Sequence, residues 1–400
     1  MAGTRRVLLQ FILLYAALFS AFGSSSPFLP AFLSGRGLGA EELGLVLGAA
    51  TAVRLLCGPI AGRVADRFHL FRAELAVCAI LAAGATLLYL LGRGFWAVMG
   101  ISLLQAAALA PLVPLADALS LAHARRPQHG AGFEYGWVRG VGSAAFVAGT
   151  VLAGQATERY GVSAIIWLSA TALLMIPVAA FLVPAFPEPA GSRSRDHKHP
   201  DHPWSLLLHQ RVFSLVALVG ALVLGSHAMH DSFAVIRWQE AGIGPAIVGL
   251  LWSESVASEV LLFLWVGPTL LRALRPTGAL ALAAFSGLVR WGVMAQTTEV
   301  TALALVQPLH GFTFALLYLA SMRLITDNVP PALAGTAQTV YGLVAVGGAT
   351  AVLMIVSGWL YAHFGGGGFW AMGLLCIAAF PLIRSLHGAL SSQLPETEAR

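Results

Sequence analysis

Residues 162–184 read VSAIIWLSATALLMIPVAAFLVP, twenty-three positions without one charged side chain. A helix rises about 1.5 Å per residue, so this run reaches roughly 35 Å, a little more than the ~30 Å hydrocarbon core of a bilayer. A barrel strand would be about ten residues of alternating polarity, and this run is twice that and continuous. It reads as a membrane-spanning helix. Upstream, comparable runs cover about 8–33, 42–62, 73–92, 96–122 and 134–157. Downstream, after a polar interval, they resume at about 211–236, 245–267, 276–296, 299–323, 335–361 and 367–388. The pattern predicts an all-α membrane protein with 12 transmembrane helices in two six-helix bundles.

The composition leads to the same class. Of 400 residues, 58% are hydrophobic and only 10% charged, with a mean hydropathy of +0.80, whereas a soluble chain carries about 25% charge. Soluble enzymes, nucleic-acid binders and secreted scaffolds are excluded. Cys57, Cys78 and Cys376 lie far apart inside apolar stretches, so neither a disulfide framework nor a metal site is implied. Arg5 and Arg6 ahead of the run from Val7 to Phe22 imitate a signal peptide. The run continues to about Phe32, long enough to span, and reads as the first helix.

The net charge is +5, but its placement is more informative than its sum. Of the 23 Lys and Arg residues, sixteen fall on one set of alternating loops, including Arg5, Arg63, Arg67, Arg125, Arg193, Arg272 and Arg384. Four, Arg36, Arg93, Arg159 and Arg237, fall on the other set. The positive-inside rule places both termini in the cytoplasm, as an even number of crossings requires.

The polar interval divides the chain into a bundle over 1–184, a cytoplasmic linker over 185–209, a second bundle over 210–390 and a tail over 391–400. The linker holds Arg193, Arg195, Lys198, His197, His199 and His202 without ligand spacing. The halves repeat: Gly58-Pro59 before Arg63 returns as Gly267-Pro268 before Arg272, and Tyr135-Gly136-x-Val138 returns as Tyr341-Gly342-x-Val344. Two parallel six-helix halves are a transporter signature, with the substrate site expected near the bilayer midplane.

Seven ionisable residues fall inside the spans: Arg54, Asp117, Arg139, Asp231, Glu254, Glu259 and Arg290. Facing lipid unpaired they would cost on the order of 20 kcal/mol, so they must face a polar interior. Asp117 and Arg139 lie at similar depth near the cytoplasmic side of the fourth and fifth spans, and are expected to pair. Asp231, Glu254 and Arg290 sit nearer the outer side, while Glu259, His310 and Arg54 lie near the middle. Trp252, Ser255 and Glu259 share one helical face, and Glu254 points about 140° away from Glu259. One glutamate faces a cavity and the other a helix contact. A buried carboxylate whose cationic partner comes and goes can load and release a proton. Phe22, Phe28, Trp137, Trp252, Trp291, Phe314 and Tyr318 fill helix interfaces or line a cavity. Glycines of the fifth and eleventh spans, such as Gly142, Gly149 and Gly348, permit close helix approach.

The segment Gly62-Arg63-Val64-Ala65-Asp66-Arg67 between the second and third spans resembles the loop signature of the major facilitator superfamily. Phe68-His69 departs from that signature, which has a glycine near there. Ser26-Pro27-Phe28-Leu29-Pro30, Asp117, Phe133-Glu134-Tyr135-Gly136-Trp137-Val138-Arg139 and Leu309-His310-Gly311-Phe312 resemble the lactose permease branch. Ser226-His227-Ala228, Val256-Ala257-Ser258-Glu259-Val260, Arg290-Trp291 and His310-Gly311-Phe312-Thr313-Phe314 are similar to the 3-phenylpropionate transporter family.

The resemblance implies a cytoplasmic gating motif of Gly62, Arg63, Asp66 and Arg67. It implies a substrate-binding set of Asp117, Arg139, Arg54, Trp252 and Phe314, and a proton-coupling set of Glu259, His310, Arg290, Asp231 and His227, Glu259 being the favoured glutamate. Thr313 stands where lactose permease-like proteins carry a carboxylate. The sequence is thus read as a secondary active transporter for a small organic acid, aromatic by the resemblance, moved with protons by alternating access. A sugar or nucleoside symporter and a multidrug antiporter are the alternatives. No nucleophile with a base, no HExxH and no Walker loop is present, so neither an enzyme nor a cofactor is expected. The partners expected are a small molecule, protons and the lipid bilayer, with no nucleic acid, and function as a monomer.

Overall fold

The computed structural model describes residues 2–124, 133–185 and 203–392. Ten helical stretches are long and apolar enough to cross a membrane. Eight are of ordinary length, or nearly so: α1 (Arg5–Ser25), α2 (Ala40–Phe68), α3 (Phe71–Leu88), α4 (Phe95–Ala124), α5 (Tyr135–Tyr160), α6 (Ala164–Leu182), α7 (Arg211–Glu240) and α10 (Val300–Asn328). The other two, Pro245–Gln296 and Ala334–Ser391, run for 52 and 58 residues. At about 1.5 Å per residue each is more than twice the thickness of the hydrocarbon core, and each breaks once. Arg275, with φ 57 and ψ 164, ends α8 (245–274) ahead of Pro276, because the ring of a proline disfavours helical geometry in the residue before it. Gly365, with φ 51 and ψ −132, ends α11 (334–364), a left-handed conformation that glycine tolerates. With α9 (276–296) and α12 (Phe369–Ser391), the described residues hold twelve helical segments of crossing length.

Several boundaries differ from the sequence reading. The first apolar run breaks at Ser26–Phe28 and resumes as a short helix, Leu29–Ser34. The fourth breaks between Leu109 and Leu112, where Pro111 supplies no N–H. The second continues to Phe68 and closes on His69 in a left-handed conformation, so the gating motif is the last turns of α2 and not a loop. Within the expected linker, Pro203–His209 form a short helix; residues 186–202, and all but the first two residues of the expected tail, lie outside the described residues.

Many of the outward-facing side chains are large and apolar. Leu56, Phe181 and Leu374 are 64%, 61% and 63% exposed, which in water would form an adhesive surface and in lipid is simply solvation. The described residues sort into two compact units: the chain up to the central segment together with Trp238–Ser253, and the remainder. In the first unit α1 and α5 meet backbone to backbone. A Cβ on Gly149 would lie 2.8 Å from the Ser20 carbonyl oxygen, and Thr150 donates to the Gly23 carbonyl at 3.0 Å. Gly149→Leu is therefore expected to force the helices apart, at a cost of about 3 kcal/mol or more. Size-exclusion profiles of the detergent-solubilised variant should show loss of the monodisperse peak.

In the second unit three π-helical turns interrupt the spans: Leu262–Val266, Phe312–Leu316 and Gly342–Gly348. Such bulges often stand beside functional groups. Two of them begin within three residues of Glu259 and His310.

Candidate functional site

Four helices of the second unit each present polar side chains at helical spacing. From α7 come His227, His230 and Asp231; from α8 Ser255, Ser258 and Glu259; from α9 Arg290; and from α10 Gln307, His310 and Thr313. Steps of three and four residues put each set on one face of its helix.

Arg290 is the hub. It is fully buried, lies over the Trp291 ring at 4.6 Å, and directs its N–H groups to two other helices, α7 and α10. Nη1 reaches His310 Nδ1 at 3.1 Å, while Nη2 reaches His230 Nε2 at 3.2 Å and Gln307 Oε1 at 2.8 Å. A guanidinium only donates, so each histidine nitrogen facing it must accept. The tautomers follow. His310 carries its proton on Nε2, 3.5 Å from Glu259 Oε2, and His230 carries its proton on Nδ1, 3.1 Å from Asp231 Oδ1. Arg290 thus holds two histidines neutral, each with its N–H turned to a different carboxylate. Neither imidazole can take a second proton while it stays on the arginine.

His227 is pinned separately. Its Nδ1 lies 3.0 Å from the Leu224 carbonyl oxygen and 3.2 Å from that of Val223, and its Nε2 lies 2.9 Å from the Thr313 hydroxyl. Its ring meets those of His310 and Trp291 edge-on, with centroids 5.2 and 5.3 Å apart. Thr313 is a neutral partner to His227, with no proton to exchange. Phe314 stacks on the His310 ring at 5.7 Å and 13°. Below the cluster the Trp291 indole donates to Ser226 Oγ at 2.8 Å. The cluster opens on its acidic side, where the Asp231, Glu259 and His310 side chains are 39%, 26% and 15% exposed.

The sequence reading did not single out Gln307. Fully buried, it accepts from Arg290 and from Ser255 Oγ, at 2.8 and 2.7 Å, on its one carbonyl oxygen. Its place three residues before His310 was the available signal. Glu254 makes no hydrogen bond or ion pair among the described residues. Trp252 is buried and belongs to the first unit.

In the first unit Asp117 and Arg139 do not pair. Asp117 Oδ1 accepts instead from the hydroxyls of Tyr15 and, at 2.8 Å, Tyr135, and Tyr15 also meets Ser120 Oγ at 3.0 Å. Arg139 lies over the Phe19 ring at 4.7 Å. Equal depth was the basis for expecting the pair, but Tyr15 on α1 reaches the carboxylate first. Arg54 is exposed on α2, and in the gating motif Arg63, Asp66 and Arg67 are exposed, while Gly62 is half-buried.

Apolar helices of crossing length, four of which gather an ionisable network within the second unit, are the architecture of a membrane transporter. The chain belongs to the MFS_1 like family, whose model matches residues 8–372. It is 35% identical over 376 residues to the probable 3-phenylpropionic acid transporter of Escherichia coli (strain K12), covering 91% of this chain and 94% of the relative. It is 24% identical over 368 residues to the maltose permease of Geobacillus stearothermophilus, covering 92% and 91%. Among solved structures it is similar to the nucleoside transporter NupG, with a TM-score of 0.78 at 15% identity over 96% of this chain and 98% of that one. It is also similar to a bacterial homolog of the human lysosomal transporter Spinster, inward-facing and unoccupied, with a TM-score of 0.75 at 14% identity over 98% and 99%. The protein is a multi-pass membrane transporter of small molecules with the major facilitator fold, and not an enzyme.

Proposed function

We propose that this transporter carries a small organic acid, aromatic in kind, together with protons, by alternating access. The observation that supports this reading is the cluster centred on Arg290: two carboxylates, each backed by a neutral histidine, strung on a single buried cation. Ionisable groups gathered inside a membrane bundle are the parts from which proton relays are made. The aromatic preference draws on the 35% identical relative and on the Phe314 and Trp291 rings beside the cluster. Glu259, His310, Arg290, Asp231 and His227 are assigned to proton coupling, and Asp117, Arg139, Arg54, Trp252 and Phe314 to substrate contact. The protein is read as a monomer of the cytoplasmic membrane with both termini in the cytoplasm.

The test is uptake into proteoliposomes under an imposed pH gradient, with 3-phenylpropionate, maltose and uridine as probes. One proton per substrate sets a ceiling of about tenfold accumulation per pH unit. Accumulation of the acid, abolished when the gradient is collapsed, supports the reading. Accumulation of the sugar or the nucleoside alone replaces it with the competing one.

The gating motif at the end of α2 is assigned to the switch between states. Asp66 is exposed and belongs to no ion pair among the described residues; in this reading it gains partners in a different state. Asp66→Asn is expected to lower the maximal rate about tenfold or more while leaving equilibrium affinity within twofold. A large affinity loss with unchanged turnover would place Asp66 at the substrate instead.

A further inference from the structure

Arg290 is buried at 0% exposure, yet no carboxylate lies within 4.0 Å of it among the described residues. Its partners are all neutral: two imidazoles and an amide. Its Nε, and the Nε2 of Gln307, have no acceptor among the described residues. A buried cation is ordinarily matched by an anion, and a buried N–H by an acceptor. This group lacks both, and one anionic oxygen ligand answers both needs, the charge of Arg290 and the open N–H donors. Asp231 and Glu259 do not supply it, because each stands on the far side of a histidine. The partner most readily exchanged is His310, whose ring, unlike His230 at 2%, is partly exposed and opens with Glu259 on the accessible side.

Building on the organic-acid reading above, we propose that Arg290, with Gln307 beside it, receives the carboxylate of the substrate, and that docking displaces His310, which then becomes the proton carrier. One carboxylate oxygen takes the place of His310 Nδ1 on Arg290 Nη1. The N–H groups that now have no acceptor, Arg290 Nε and Gln307 Nε2, are the donors available to the anion. The freed Nδ1 lone pair accepts a proton from hydronium, so that one N–H bond forms as one O–H bond breaks and water is released. The imidazolium keeps its Nε2–H toward Glu259, its counterion. There is no change of oxidation state, and no covalent bond changes beyond that proton transfer. One anion and one proton are gained, so the loaded site has the same net charge as the empty one. The coupling is reciprocal, as linkage demands: the anion favours the proton on His310, and the proton, by keeping His310 off the arginine, favours the anion.

The charges around His310 are consistent with this division. Glu259 of α8 favours the protonated ring, Arg290 of α9 opposes it until an anion covers the guanidinium, and α7 contributes neutral His227 edge-on, with His230 and Asp231 beyond Arg290. On α10 itself Thr313 and Phe314 carry no charge.

The experiment is calorimetric titration of 3-phenylpropionate into the purified full-length protein between pH 5.5 and 8, in buffers of different ionisation enthalpy, with 3-phenylpropionamide as the uncharged control. The wild type is expected to take up one proton per acid bound, to lose affinity as pH rises, and to bind the amide at least tenfold more weakly. Arg290→Lys, which keeps the charge but not the fork, should lose at least tenfold in affinity for the acid and little for the amide. His310→Gln keeps an acceptor for Arg290, and should bind the acid with no proton uptake and no pH dependence. Acid binding by Arg290→Lys within twofold of the wild type places the carboxylate elsewhere and overturns the assignment, leaving the organic-acid reading standing if uptake continues. Undiminished proton uptake in His310→Gln overturns the proton half. A wild type that neither binds nor transports any acid removes the functional reading itself.

Discussion

Glu259→Gln is expected to abolish accumulation against a gradient while leaving exchange of substrate across the membrane nearly intact. Glu259 is the acid 3.5 Å from His310 Nε2, and its side chain is 26% exposed. Gln at this position still accepts the His310 N–H but gives no net charge to balance an imidazolium, and an unbalanced buried cation costs several kcal/mol. Protonation of the empty or loaded site is then suppressed and the driving force is disconnected. Exchange moves no net proton and does not need that step. The internal-to-external ratio in proteoliposomes under a one-unit pH gradient should fall from as much as about tenfold to unity. Counterflow rates should stay within about threefold of the wild type, a difference of less than 1 kcal/mol in the barrier. A variant that still concentrates substrate with its pH dependence unchanged moves the coupling to Asp231, the other carboxylate of the cluster, 3.1 Å from His230.

Much of this site was legible because charge inside an apolar span is an anomaly. His227, Asp231, Glu259, Arg290 and His310 each stand out against their surroundings, and steps of three and four residues place each on a definite helix face. Gln307 does not stand out: an uncharged polar residue costs less in a span, and only the packed structure shows it accepting from two helices at once. Pairing across helices was less legible than membership of the cluster. Depth fixes how far along its helix a residue lies but not the direction in which it points, and Asp117 accordingly faces Tyr15 and Tyr135 rather than Arg139. The segment Gly62–Arg67 reads as a loop because Gly62 and the charges of Arg63, Asp66, Arg67 and Arg72 resemble one. At a helix end charges reach water freely, and buried Ala65 keeps the last turns packed. The twelve crossings were countable from apolar length, while the interruptions at Ser26–Phe28 and beside Pro111 were not, since length alone gives no sign of a kink.

Asp117→Ala is expected to destabilise the first unit as well as stop transport, and Asp117→Asn separates the two effects. The carboxylate gathers the hydroxyls of Tyr15, from α1, and Tyr135, from the start of α5, and Tyr15 is fully buried. Alanine leaves both hydroxyls without their acceptor, and a buried group so stranded costs about 1–3 kcal/mol; the sum expected is about 2–4 kcal/mol, because Tyr15 keeps Ser120 at 3.0 Å. Asparagine retains an oxygen at the same position and should lie within about 1 kcal/mol of the wild type in thermal unfolding of the detergent-solubilised protein. If Asp117 takes part in substrate contact through its charge, Asp117→Asn should nevertheless lose uptake by tenfold or more. Normal uptake by the asparagine variant would reduce Asp117 to a structural acceptor. Arg139 provides the control, since it lies on Phe19 and makes no ion pair with Asp117 in this structure. A double-mutant cycle of Asp117→Asn with Arg139→Gln should therefore show a stability coupling below about 0.5 kcal/mol. A coupling of 2 kcal/mol or more would mean that the two charges do meet in the most populated state, and that the tyrosines hold Asp117 only when they part.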